Sequence, residues 1–150
     1  MWYNRVINDL SKLPEFLSYY EKELVEAKAE CKLSGMVETN IKDLPGLTEH
    51  RFNQLQEIES ILNYLNIELK RVRRRHFQKY LENYARALTS RDAEKYVDGE
   101  DEVIDFETLI NEVALMRNRW LGIMKGLESK NFMLGYVTRL RVAGMEDVSV

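Results

Sequence analysis

The chain has 150 residues, 45% of them apolar and 31% charged, with a formal net charge of -3. It is long enough to bury one core and too rich in apolar residues to be disordered. The pI of about 5.5 excludes a generally basic nucleic-acid coat, so polyanion binding would have to come from an uneven spread of charge. The lone Cys31 cannot form an internal disulfide, which suits a reducing compartment. No apolar run approaches the roughly 20 residues that span a bilayer. Met1-Trp2-Tyr3-Asn4-Arg5 does not lead into the order of a signal peptide, so the expectation is a soluble, intracellular protein.

Only two prolines and seven glycines punctuate the chain, and the recurring residues are good helix formers. The expected fold is all-α: long amphipathic, coiled-coil-like helices in one helical domain, a bundle that assembles into an oligomer. The first segment, 1–34, keeps Leu13, Phe16, Leu17, Tyr20, Leu24 and Ala27 at helical spacing, with a restart near Pro14. Gly35 then opens a connector over 35–47, with a turn at Leu44-Pro45-Gly46. Within it, residues 36–44 can hold one short strand pair.

Thr48 is a candidate N-cap for a long helix over 48–90, although Arg51 stands where a capping box would place Glu or Gln. Leu55, Ile58, Leu62, Leu65, Leu69 and Val72 form a heptad seam. Phe77, Tyr80, Leu81, Tyr84 and Leu88 extend an apolar face in a shifted phase. A forty-residue helix is about 60 Å long, which invites packing on another subunit. A short helix and loop occupy 91–100. From 101 to 144 two further helices are expected, broken near 128–130, with Gly144 as the end and the last residues frayed. Their apolar positions Val113, Met116, Trp120, Ile123, Leu127, Phe132, Tyr136 and Leu140 are the expected oligomer interface.

The segment Lys70-Arg71-Val72-Arg73-Arg74-Arg75-His76-Phe77-Gln78-Lys79-Tyr80 sets six Lys and Arg side chains in eleven positions without a carboxylate. On a helix these make a broad cationic stripe. Guanidinium groups pair with phosphate oxygens, and Phe77, Tyr80 and Tyr84 offer π-faces for unstacked bases. Lys70, Arg71, Arg73, Arg74, Arg75, His76, Lys79 and Tyr80 are therefore the candidate nucleic-acid contacts, with Lys125, Lys130, Arg139 and Arg141 as a second basic set. The competing reading is a solvated helix face paired with acidic groups, the block Asp98, Glu100, Asp101, Glu102, Asp105 and Glu107 of a neighbouring subunit among them. That block lacks the order of a calcium loop and suits a helix start, where carboxylates meet the positive end of the dipole. Neither metal-ligand spacing around His50 and His76 nor a nucleophile context is present, so no cofactor, metal or catalytic residue is expected.

From Asp101-Glu102-Val103 to Ser129-Lys130-Asn131-Phe132-Met133-Leu134-Gly135-Tyr136-Val137-Thr138-Arg139-Leu140-Arg141-Val142-Ala143-Gly144 the chain resembles the closing helices of the UvsY recombination mediators of T4-like phages. Ser129, Lys130, Phe132, Val137, Leu140, Arg141 and Ala143-Gly144 match in order. Lys70, Arg71, Arg73 and Arg75 ahead of Tyr80 resemble that family's Lys-Ala-Arg-Leu DNA-binding element, without the literal motif. The resemblance covers roughly Leu65 to Gly144. It implies a ring-forming, non-enzymatic helical protein of the host cytoplasm that binds single-stranded DNA. It further implies contact with a RecA-like recombinase and a single-strand-binding protein, and loading of the first in place of the second. A helical oligomeric adaptor or scaffold without nucleic-acid binding is the alternative.

Overall fold

Helical periodicity governs the whole of the described chain. The computed structural model describes residues 1–83 and 88–144; Tyr84 and the closing residues 145–150, for which base stacking and fraying were expected, lie outside them. The described residues form α1 (Trp2–Asn8), a single 3₁₀ turn (Leu10–Lys12), α2 (Leu13–Glu30), α3 (Val37–Asn83), α4 (Ser90–Asp98) and α5 (Asp101–Val142). Among the described residues there is no strand. None of the helices is long and apolar enough to cross a membrane.

Two expectations about breaks are corrected. The supposed connector and strand pair before Thr48 are helical, because α3 begins at Val37 and carries Pro45 inside it. A proline in a helix interior costs about 3 kcal/mol through the lost N–H and the clash with the preceding turn. Here its ring is exposed while its neighbour Leu44 is buried, so tertiary burial outweighs the local penalty. The true link between α2 and α3 is shorter. It uses Gly35 at φ 76°, and Asn40 Nδ2 donates to the carbonyls of Ser34 and Met36 at 2.8 and 2.7 Å. Likewise, α5 runs unbroken past residue 128, because Leu127, Lys130, Leu134 and Val137 keep one buried face in phase.

The chain divides into two compact units, where one domain was expected. The first comprises residues 1–58 and 116–150. In it α2 lies antiparallel to the first part of α3 and parallel to the second part of α5. Arg51 of α3 donates to Glu30 and Glu23 of α2, and Tyr20 donates to Glu57. The Tyr20 ring meets Trp120 edge-on at 5.0 Å, and Arg119 reaches Glu21. Val6, Leu13, Phe16, Ile58, Trp120 and Leu127 are among its fully buried side chains; each contributes roughly 1.5–3 kcal/mol of transfer free energy for a side chain of Val to Phe size.

The second unit comprises residues 59–115. Val72, Val97 and Val103 form its core cluster, with Leu69, Phe77, Tyr80 and Phe106 packed against it. α4 is started by Thr89, whose hydroxyl accepts from the Asp92 N–H at 3.2 Å, an N-cap of ordinary chemistry. Only Gly99 and Glu100 separate α4 from α5, so the acidic block is held where the two helices meet.

Candidate nucleic-acid interface

The basic run lies on α3, and the helix sorts its cations by face. Positions 73, 76 and 80 follow the spacing that packs inward, whereas 70 and 74, and 71, 75 and 79, form two adjacent rows one turn apart. Burial follows this division. Lys70, Arg71, Arg74, Arg75 and Lys79 are exposed, while Arg73, His76, Phe77 and Tyr80 are half-buried.

The inward set meets the acidic block of the same chain. Arg73 donates to Asp98 at 2.6 Å and lies 3.8 Å from Glu107. Arg75 reaches across to Glu102 at 2.5 Å. His76 Nε2 is 2.7 Å from the other Glu102 oxygen, and its Nδ1 is 3.8 Å from Glu100. The Tyr80 hydroxyl donates to Glu100, and its ring stacks on Tyr96 at 5.3 Å. The His76 hydrogen bond, with help from Arg75, holds the Glu102 carboxyl below its ordinary value. The block that the sequence separates from the basic run is thus its direct partner, 20 to 34 residues on.

The counts sharpen this. Residues 59–115 hold nine Lys and Arg against twelve Asp and Glu, so the unit carrying the basic run is itself acidic. Yet pairing is incomplete on the outward face. Lys70, Arg74 and Lys79 have no ion pair among the described residues, and Arg71 bonds only Glu68, one turn back on the same helix. The guanidinium side chains of Arg71 and Arg75 remain 72% and 64% exposed. Pairs this exposed are worth about 0–1 kcal/mol and are screened by salt, so they break readily for a stronger anion.

The second basic set is not one surface. Lys130 is buried, and its Nζ donates to the Glu30 carbonyl at 2.7 Å; this corrects its expected role, because a side chain spent on closing α5 against α2 cannot meet a phosphate. Arg139 lies over the Tyr136 ring at 5.8 Å. Arg141 and Lys125 are exposed, but all four belong to the first unit and the basic run to the second.

The expected oligomer interface is corrected in the same way. Val113, Met116, Trp120, Ile123 and Leu127 are each at most 5% exposed within the single chain. Their heptad spacing is satisfied internally, as the Tyr20–Trp120 contact shows. Phe132 and Tyr136 are more than half exposed, and Leu140 is half-buried. Arg51 was read from sequence only as a departure from a capping box, and its buried ion pairs with Glu23 and Glu30 were missed. The available signal was its place among helical residues without a cap role, with Glu23 and Glu30 one antiparallel hairpin away.

Among the described residues no group of three or more His, Cys, Asp or Glu is placed to hold a metal ion. Compared with family models, curated proteins and solved structures, the chain matches none.

Proposed function

We propose that this chain is a non-catalytic protein that binds single-stranded DNA as an oligomer, along the outward face of α3 from Lys70 to Lys79. The observation that supports this reading is the row structure of that face: Lys70, Arg74 and Lys79 without ion pairs among the described residues, flanked by exposed Arg71 and Arg75. These cations span about 14 Å at 1.5 Å per residue and would contact several phosphates at once. One such face binds weakly. Copies gathered by the exposed Phe132 and Tyr136 would present many, and linked sites gain avidity without new contacts. By its resemblance to the UvsY mediators, the assembly would hold the strand so that a RecA-like recombinase replaces a single-strand-binding protein.

Anisotropy of a labelled oligonucleotide, single-stranded and duplex in parallel over a salt series, tests this. Single-strand binding should weaken linearly with log salt, by about 0.7 for every phosphate contacted. Lys70→Glu with Arg74→Glu should abolish most of it. A second reading, a helical scaffold without nucleic-acid affinity, is favoured by the pairing of Arg73 and Arg75 with Asp98 and Glu102. Absence of binding at low salt would select it.

A further inference from the structure

Asp98, Glu102 and Glu107 place carboxylate oxygens on the guanidinium groups of Arg73 and Arg75 at 2.5–3.8 Å. These are the donors that would otherwise fork onto phosphate. We infer that the acidic block where α4 meets α5 is an internal competitor for the DNA-binding face: it occupies Arg73 and Arg75 in the free protein and yields them when a polyanion binds. This rests on the single-strand reading above and extends it, since the complete phosphate-binding surface then includes two arginines that the free chain holds against itself.

Three observations carry the inference. First, the competing groups are carboxylates, anions as phosphates are, and they come from elements packed beside α3, so contact in the free protein needs no second molecule. Second, the pairs are placed for release. Arg75 and Glu102 are 64% and 43% exposed, Arg73 and Asp98 32% and 63%. Rotation of long side chains therefore frees the guanidinium groups toward solvent, and the Val72, Val97 and Val103 cluster beneath them is left intact. Third, the competitor is local. Asp105 and Glu112 on the same helix, and Glu59 on α3, have no ion pair among the described residues, so general acidity and specific occupancy are separable.

The physical consequence is a threshold. A single phosphate must compete with a carboxylate already in place, whereas a strand crossing Lys70, Arg71, Arg74 and Lys79 is held first by unpaired cations and then displaces the carboxylates beside it. Short or weakly charged anions are excluded, and extended single strands are not.

The test compares three proteins by anisotropy with a labelled oligo(dT) probe over a salt series. These are the natural chain, the variant Asp98→Asn/Glu102→Gln/Glu107→Gln, and the charge-matched control Glu59→Gln/Asp105→Asn/Glu112→Gln. The first variant should bind about tenfold more tightly than the control, with a salt slope close to that of the natural chain, because Arg73 and Arg75 reach phosphate in both complexes once the carboxylates have yielded. Equal tightening in variant and control, or a slope steeper by about 1.4 that shows two phosphates gained only when the carboxylates are removed, overturns the inference while leaving single-strand binding in place. No binding by any of the three at low salt overturns the functional reading beneath it as well. Should the triple variant lose its helical circular dichroism signal, Asp98→Asn alone decides: its side chain is 63% exposed, and it should tighten binding with the slope unchanged, whereas no tightening overturns the inference.

Discussion

Arg51 Nη2 donates to Glu30 Oε1 at 2.5 Å and its Nε to Glu30 Oε2 at 2.8 Å, a two-point clasp between α3 and α2. The arginine side chain is 2% exposed and also bonds Glu23 and Gln54. Hydrogen bonds donated to Glu30, opposed by burial, keep its guanidinium more firmly protonated than usual. Breaking a buried pair leaves an uncompensated charge, at a cost of about 3 kcal/mol or more. Arg51→Ala should therefore lower the urea midpoint sharply, with little change in the slope of the transition.

The same clasp sets an acid limit. Burial pushes the Glu23 carboxyl up, but hydrogen bonds from Arg51 and Gln54 outweigh it, and the net shift is below the ordinary 4.5. A carboxyl depressed in the folded state contributes stability that is complete above its unfolded value and is lost as pH falls through the folded one. Urea midpoints should hold steady from neutrality to about pH 5 and fall below that. Glu23→Gln should flatten the fall.

Gly126 faces Cys31 so closely that a Cβ there would lie 2.8 Å from the Cys31 sulfur. Gly126→Ala gains about 1 kcal/mol of helix propensity and loses about 1–3 kcal/mol to overpacking. The net expectation is destabilisation. With Cys31→Ala also present the sulfur is removed and only a Cβ at 3.3 Å remains, so Gly126→Ala should cost less than in the natural chain; a double-mutant cycle by thermal unfolding measures the difference.

Lys130 and Arg74 should separate stability from binding. Lys130→Ala leaves the Glu30 carbonyl without its donor and should cost about 1–3 kcal/mol while nucleic-acid affinity is unchanged. Arg74→Ala should do the reverse, because its side chain is exposed and has no ion pair among the described residues. Parallel unfolding and anisotropy series check both.

Leu127 and Phe132 make a matching pair for assembly. Leu127 is 1% exposed, so Leu127→Asp should unfold the chain. Phe132 is 60% exposed, so Phe132→Ser should keep the helical signal and, if that face joins copies, lower the mass seen by light scattering.

Much of this was legible in the chain. Three-and-four spacing from Leu13 to Ala27, from Leu55 to Val72 and from Val113 to Leu127 identified the helices, because a buried stripe every turn is required wherever a helix packs. A broad cationic stripe followed from the same periodicity, whereas its division into outward Lys70, Arg71, Arg74, Arg75 and Lys79 and half-buried Arg73, His76 and Tyr80 did not. The helix ends did not: Pro45 and Gly46 are local signals, and it takes the packing of the helix as a whole, Leu44 together with Leu55 and Ile58, to outweigh their cost.

Sequence by itself determined the all-α character and the existence of a cationic helix face, since both depend on residues within a few turns of each other. Only the tertiary structure decided where the charges are neutralised and which apolar seams remain open. Arg73 finds Asp98 because α4 and α5 turn back on α3, and Trp120 finds Tyr20 because α2 lies along α5. A heptad pattern states that an apolar face needs cover; only the path of the chain determines whether that cover is its own.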